Sequence, residues 1–153
     1  MSKTYDKNSI RQLKGLEAVR EKIGMYLGDP TNGDALHHCI WEVVDNAVDE
    51  HLAGYCTHVT LLLDTDGWAS VYDNGRGIPV GLNEEEGIDV LQMVMTSLHA
   101  GGKFDSESYA KSAGLHGIGV SAVNAVSSNC IARVKRDGRE WAQKYAEGKP
   151  ISE

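Results

Sequence analysis

The sequence predicts an α+β fold, a two-layer α/β sandwich in which helices cover one face of a mostly antiparallel sheet. Two observations carry that prediction. Segments with a helical apolar period alternate with β-rich runs, and the β-rich runs come in pairs joined by tight-turn residues. A third bounds it: 153 residues, 41% of them hydrophobic and 24% charged, suit one globular domain with a core of its own.

Taken in chain order, residues 1–12 are polar and read as an arm that orders only on docking. "LKGLEAVREKI" is a short helix candidate closed by Gly24. "NGDALHHCIWEVVDNAVDEHLAG" gives the strongest helix, with Asp34 as N-cap and Gly54 as the C-terminal stop. "THVTLLLD" and "WASVYD" are strands, and Asp64-Thr65-Asp66-Gly67 between them signals a hairpin. "IDVLQMVMTSLH" reads as a helix. From "AGGKF" to Gly119 the chain is Gly, Ser, Lys and Tyr, long for a loop and therefore expected to be functional. A further helix starts near Ile118, and "CIARVKRDGREWAQKYAEG" is a second hairpin turning at Asp137-Gly138.

The charge balance, 15 basic against 22 acidic residues, is −7 overall. Clustered Lys and Arg are what grip phosphate backbones, so this balance argues against a general nucleic-acid surface. Cys39, Cys56 and Cys130 are scattered and form no CxxC pair, which fits reduced thiols rather than a disulfide framework or a zinc site. The polar start and the lack of any long apolar run predict a cytoplasmic protein.

Three stretches carry chemistry. On the long helix His38, Glu42, Asn46 and Glu50 form a stripe drifting by about 40° per four-residue step, with Asp45 and Asp49 alongside. Ile40, Val44, Ala47 and Val48 fall opposite. A solvated face is the ordinary reading of such a stripe. Against it, Asn46 is a poor helix former that can offer an oxygen to a hard cation. His38, one turn before Glu42, lies within reach to orient a general base. Next, "VYDNGRGIP" reads as a turn after a strand. Asp73 there could also accept a hydrogen bond from an exocyclic amine, and the planar fork of Arg76 could pair with Glu50. Last, "AGLHGIG" spaces Gly114, Gly117 and Gly119 as G-x-x-G-x-G ahead of the small-residue helix "IGVSAVNAV". A flexible surface loop explains the glycines. It does not explain their place at the start of a helix, where converging amides suit an anion with Lys103 upstream.

The ordered set "EVVDNAVDE", "DNGRGIP" and "GLHGIG" resembles the Bergerat, or GHKL, ATP site shared by gyrases, a class of heat-shock chaperones, histidine kinases and MutL. "LKGLEAVR", "GMYLGD", "LAGY", "GRGIPVG", "EEG", "LHAGGKF" and "SAGLHGIGVSAVNAV" narrow the resemblance to the ATPase subunit of bacterial type IIA topoisomerases, gyrase B or its topoisomerase IV counterpart. Any one motif is weak, but the ordered set is specific and spans nearly the whole chain.

That resemblance implies an ATP- and Mg²⁺-dependent site. Glu42 would polarise the attacking water with support from His38, and Asn46 would hold Mg²⁺. Asp73 would read the adenine amino group, with Gly77 and Ile78 lining the base pocket and Glu50, Arg76 and Pro79 beside it. Lys103 and the backbone of Leu115, His116, Gly117, Ile118 and Gly119 would cradle the phosphates, Gly114 and Val120 would also belong to the nucleotide site, and Tyr109 in a lid over about residues 81–116 would reach the nucleoside. An arm carrying Tyr5 and Ile10 would cross to a second copy, making an ATP-induced dimer. The topoisomerase A subunit and DNA would be partners of a longer protein, through other parts of it. Aminocoumarin-type inhibitors would bind near Arg76 and Arg136. Residues 13–153 would then be a GHKL ATPase domain that is incomplete at its C-terminus, since the family continues into a strand with a Gly-Thr pattern and a transducer domain. Without them an alternative is a nucleotide-binding module with negligible turnover. A partner protein that kept the fold but not the site would lack the Glu42, Asn46, Asp73 and Lys103 set. Departures from the family pattern are Lys22-Ile23 for Arg-Pro, Ala113 for Gly and Asn74 for Asp.

Overall fold

The computed structural model describes residues 13–98 and 119–152. The first predicted helix divides in two, α1 (Leu16–Glu21) and α2 (Ile23–Tyr26). Lys22, at φ −133° and ψ 49°, makes the break, so Gly24 sits inside a helical turn rather than closing one. The long helix α3 (Asp34–Leu52) lies where its apolar period puts it, but Gly33 in a left-handed conformation is its N-cap. Asp34 is instead the first helical residue, and its N–H donates to Asn32 Oδ1 at 2.9 Å. At the other end Gly54, at φ 85°, stops the helix as its position predicts.

Strands β1 (Val59–Leu63) and β2 (Ala69–Asp73) form the first predicted hairpin. The Asp64 carboxylate accepts from the N–H groups of Asp66 and Trp68 at 3.0 and 2.9 Å, which builds the turn. Two-residue strands β3 (Leu82–Asn83) and β4 (Ile88–Asp89) pair next, and α4 (Val90–Thr96) follows directly. Asp89 is both the last strand residue and the N-cap of α4, accepting from the Leu91 N–H at 2.9 Å. Helix α5 (Gly119–Val126) leads to β5 (Cys130–Arg136), β6 (Arg139–Ala146) and β7 (Lys149–Pro150). The β5–β6 hairpin turns at Asp137 and Gly138, both at positive φ, the left-handed pair such a two-residue turn demands.

Helices and antiparallel strands thus make the α+β class expected. The single sheet does not appear among the described residues. The strands form three separate antiparallel ladders, β1–β2, β3–β4 and β5–β6–β7. After Asp73 the chain leaves strand geometry and bends against β5. A Cβ on Gly77 would stand 2.9 Å from Val134 Cγ1 and 3.1 Å from the Lys135 carbonyl oxygen, and Gly77 is at φ 75°. A turn in that contact meets β5 without making a ladder with it.

Helix α5 joins two apolar clusters. Its Ala122 and Ala125 pack with Val19, Leu27 and Ala35, while Val120 borders Leu91, Met95, Val134 and Tyr145. Small residues let α1, α3 and α4 approach the helix closely. Two polar ties hold its far end. Buried Asn124 donates from Nδ2 to the Met95 carbonyl at 2.8 Å, and Arg20 donates from Nη1 to the Ala125 carbonyl at 2.7 Å. The site residues of α3 are therefore set against a fixed α5.

Candidate functional site

The predicted stripe of α3 is present and half-buried at Glu42, Asn46 and Glu50, while His38 at its start is exposed. On the opposite face Ala47 is buried, and Asp49, alongside the stripe, is buried as well. Asn46 bends its amide back along the helix, donating from Nδ2 to the Glu42 carbonyl at 3.0 Å. That bond sets the amide orientation and turns Oδ1 away from the helix backbone, an oxygen of the kind Mg²⁺ takes. Among the described residues no cluster of three His, Cys, Asp or Glu side chains is placed to hold a metal. An ion at Asn46 would therefore need most of its oxygens from water and a phosphate ligand, which is how Mg²⁺ is usually held.

Glu42 faces the first residue of α5. The place of a Cβ on Gly119 is taken by Glu42 Oε2, with the carboxyl carbon 3.3 Å and Glu42 Cβ 3.4 Å from it. With glycine at 119 this carboxylate lies against the start of the helix, in space that a side chain there would make it leave. The Glu42 charge is felt nearby: burial first, and then that charge, raise the Cys39 thiol above its ordinary value. His38 does not make the expected contact, since it forms no hydrogen bond to Glu42 among the described residues. Its ring tilts against Trp41, with centroids 5.1 Å apart.

The predicted Arg76–Glu50 pair forms, and in the bidentate manner. Arg76 Nη2 lies 2.7 Å from Glu50 Oε1, and Nε lies 3.1 Å from Oε2. The Arg76 backbone N–H also donates to Oε2 at 3.1 Å. Glu50 thereby fixes the turn that follows Asp73. Asp73 accepts the Gly75 N–H on Oδ1 at 2.8 Å and stays exposed, so its carboxylate is oriented by its own turn yet open to a ligand. Ile78 and Val120 meet in one apolar cluster with Val134, and Pro79 beside them is exposed. Arg136 donates from Nη1 to the Gly77 carbonyl at 2.7 Å, which closes this side onto β5. Lys103, Tyr109, Gly114, Leu115, His116, Gly117 and Ile118 lie outside the described residues, as do Tyr5 and Ile10 of the arm.

Two residues here escape a reading of the sequence. Asn74 accepts the Thr57 and His58 N–H groups on Oδ1, each at 2.9 Å, and donates from Nδ2 to Thr57 Oγ1 at 2.9 Å. Tyr55 lies under Arg76, whose Cζ is 3.7 Å from the ring centroid. The signal for Tyr55 is its place directly after the glycine that stops α3.

The chain is similar to known proteins along most of its length. The family described as histidine kinase-, DNA gyrase B-, and HSP90-like ATPase matches residues 31–148. The chain is 54% identical over 145 residues to the DNA gyrase B protein of Rickettsia prowazekii, 95% of this chain and 18% of that one. It is 52% identical over 153 residues to that of Campylobacter jejuni, all of this chain and 20% of the other. With that of Mycobacterium tuberculosis it shares 56% over 147 residues, 96% of this chain and 22% of the other. It thus spans about a fifth of the length of these relatives. The matched segment runs from before α3 to the end of β6 and so takes in every described residue of the site, and the chain belongs to the histidine kinase-, DNA gyrase B- and HSP90-like ATPase family.

Proposed function

We propose that this chain is the ATP-binding and ATP-hydrolysing part of a type II DNA topoisomerase of the gyrase B kind, where nucleotide binding closes a dimer that drives DNA strand passage. One observation supports this most: Glu42 lies against the start of α5, one helical turn from an Asn46 whose amide bond turns its oxygen outward. Phosphoryl transfer to water asks for positioning and charge neutralisation more than covalent help. Asn46 Oδ1 would hold Mg²⁺, which would supply neutralisation of the phosphate oxygens. Glu42 takes the proton of the attacking water on its carboxylate. Asp73, with Oδ1 engaged by Gly75, accepts the adenine amino group on its other oxygen. Ile78 and Val120 offer apolar lining for the base end, while Lys103 and residues 114–119 take the phosphates. Residues 1–12, through Tyr5 and Ile10, reach a second copy. Contacts to DNA and to the topoisomerase A subunit belong to other parts of a longer protein.

Titration of a non-hydrolysable ATP analogue with and without Mg²⁺, beside phosphate release at rising protein concentration, tests the reading. Glu42→Ala is expected to keep binding while release falls by about 10²-fold or more. Asp73→Asn is expected to weaken binding by about tenfold. Variants that bind and hydrolyse like the parent would show the site to be misassigned. Affinity with no release at any concentration would leave a binding module in place of an ATPase.

A further inference from the structure

Helix α3 ends in a motif that does more than stop it. Gly54 N–H donates to the His51 carbonyl at 2.8 Å, and Tyr55 N–H donates to the Glu50 carbonyl at 2.9 Å. This pair of bonds, with Gly54 at φ 85°, is the Schellman arrangement, which brings the residue after the glycine back beside the last full turn. Tyr55 and Glu50 therefore stand together, and the Arg76 guanidinium lies between them. Glu50 holds its edge through Nε and Nη2, and the Tyr55 ring covers one of its faces at 3.7 Å. The same Glu50 oxygen that takes Arg76 Nε takes the Arg76 N–H, and a Cβ on Gly75 would stand 3.1 Å from it and 2.9 Å from Asp73 Oδ1. A fixed guanidinium thus fixes the carboxylate that fixes the turn bearing Asp73.

We propose that Tyr55 is a positioning residue for adenine recognition: stacked on Arg76, it keeps the Glu50–Arg76 fork in plane and so holds the Asp73 turn in register with the base. This rests on the ATP-binding reading of the same site. Without the ring, one face of the guanidinium loses its partner, and the long Arg76 side chain gains freedom to leave the bidentate geometry. Glu50 then constrains the 73–76 turn less tightly. Tyr55 is 53% exposed and outside both apolar clusters, so replacing it leaves the core intact.

The test compares binding of a non-hydrolysable ATP analogue with that of the same triphosphate of purine riboside, which lacks the 6-amino group. Tyr55→Leu is expected to weaken ATP-analogue binding about threefold and to leave the amino-less ligand unchanged, so that discrimination between them falls. Tyr55→Phe keeps a ring over Arg76 and is expected to restore both affinity and discrimination. Equal weakening of the two ligands would mean a general structural role and would overturn the proposal. So would a Leu variant that binds like the parent, or a Phe variant that fails to restore discrimination. If the parent itself bound no nucleotide, the ATP-binding reading would fall and take this proposal with it. If only the variant pattern failed, that reading would stand alone.

Discussion

Two hairpins flank the site and are held in opposite ways. In β5–β6, Val134 and Tyr145 are buried, at 5% and 0% exposure, against Leu91 and Met95 of α4. In β1–β2 every residue of β1 is exposed, and Leu62 and Leu63 leave 53% and 65% of their surface open. The β5–β6 hairpin is fastened by apolar packing, the β1–β2 hairpin by polar ties at its Asp73 end through Asn74, Glu50 and Arg76. The consequence is a division of labour. Ile78 borrows its position from a core that the whole domain shares, whereas Asp73 is aimed by a few local hydrogen bonds. Stability and recognition should therefore respond to different substitutions.

The largest expected effect is on the packed hairpin. Tyr145→Ala removes a fully buried ring and its hydrogen bond to Gln143 Oε1 at 2.5 Å. A loss of about 3–5 kcal/mol is expected, the range for large aromatic truncations in a core. Tyr72→Ala on the other hairpin, where the ring is 57% exposed, should change stability by about 0.5 kcal/mol or less. Urea unfolding of both variants measures the contrast, and equal losses would erase it.

The same hairpin should also respond to alkali. Burial pushes the Cys130 thiol up from 9.0 to about 11. Tyr145 is raised too, by burial first and then by Cys130 and Asp89. Both groups are acids held protonated by the fold, so the unfolded chain releases its protons first. The thiol's contribution is present in full below about pH 9 and is lost as pH rises toward about 11, while that of Tyr145 starts to be lost only above its ordinary value of 10.0. The thiol alone amounts to something on the order of 2 kcal/mol across that window. Urea midpoints taken from about pH 8 to pH 11 should fall, and Cys130→Ala should flatten the fall. A midpoint that held steady through that range would contradict the burial argument.

Legibility in the sequence follows how local the determining physics is. The α3 span, both hairpin turns and the Glu50–Arg76 pair are readable, because each follows from period, turn chemistry or the match of a fork to a carboxylate. The break at Lys22 is not, since nothing in "VREKIGMY" marks it apart from a backbone angle. The short strand β7 escapes because Glu147 takes a positive φ that its residue type does not announce. The separation of the strands into three ladders and the contact of Gly77 with β5 are long-range features, invisible to any window of the chain. The helical period puts His38 on the right face, but its ring packs on Trp41 and not on Glu42. Sequence spacing brings both within reach and cannot decide between them.

The smallest effect sharpens the polar side of the comparison. Asn74 makes three side-chain bonds to Thr57 and His58, all at the exposed end of the hairpin. Asn74→Ala forfeits them, and water can replace only part of their geometry, so a cost of about 1–2 kcal/mol is expected. Asn74→Asp should be gentler, within about 0.5 kcal/mol. The carboxylate still accepts both N–H groups, and the Thr57 hydroxyl can rotate to donate where it previously accepted. That rotation makes Thr57 the hidden variable. In a Thr57→Val background the substitution Asn74→Asp would lose the compensating donor but also the old acceptor, and the two residues at 74 should again be nearly equal. Urea unfolding of the four combinations decides whether the hydroxyl is the adaptor. If Asn74→Asp alone cost as much as Asn74→Ala, charge beside Asp73 rather than hydrogen bonding would govern this corner.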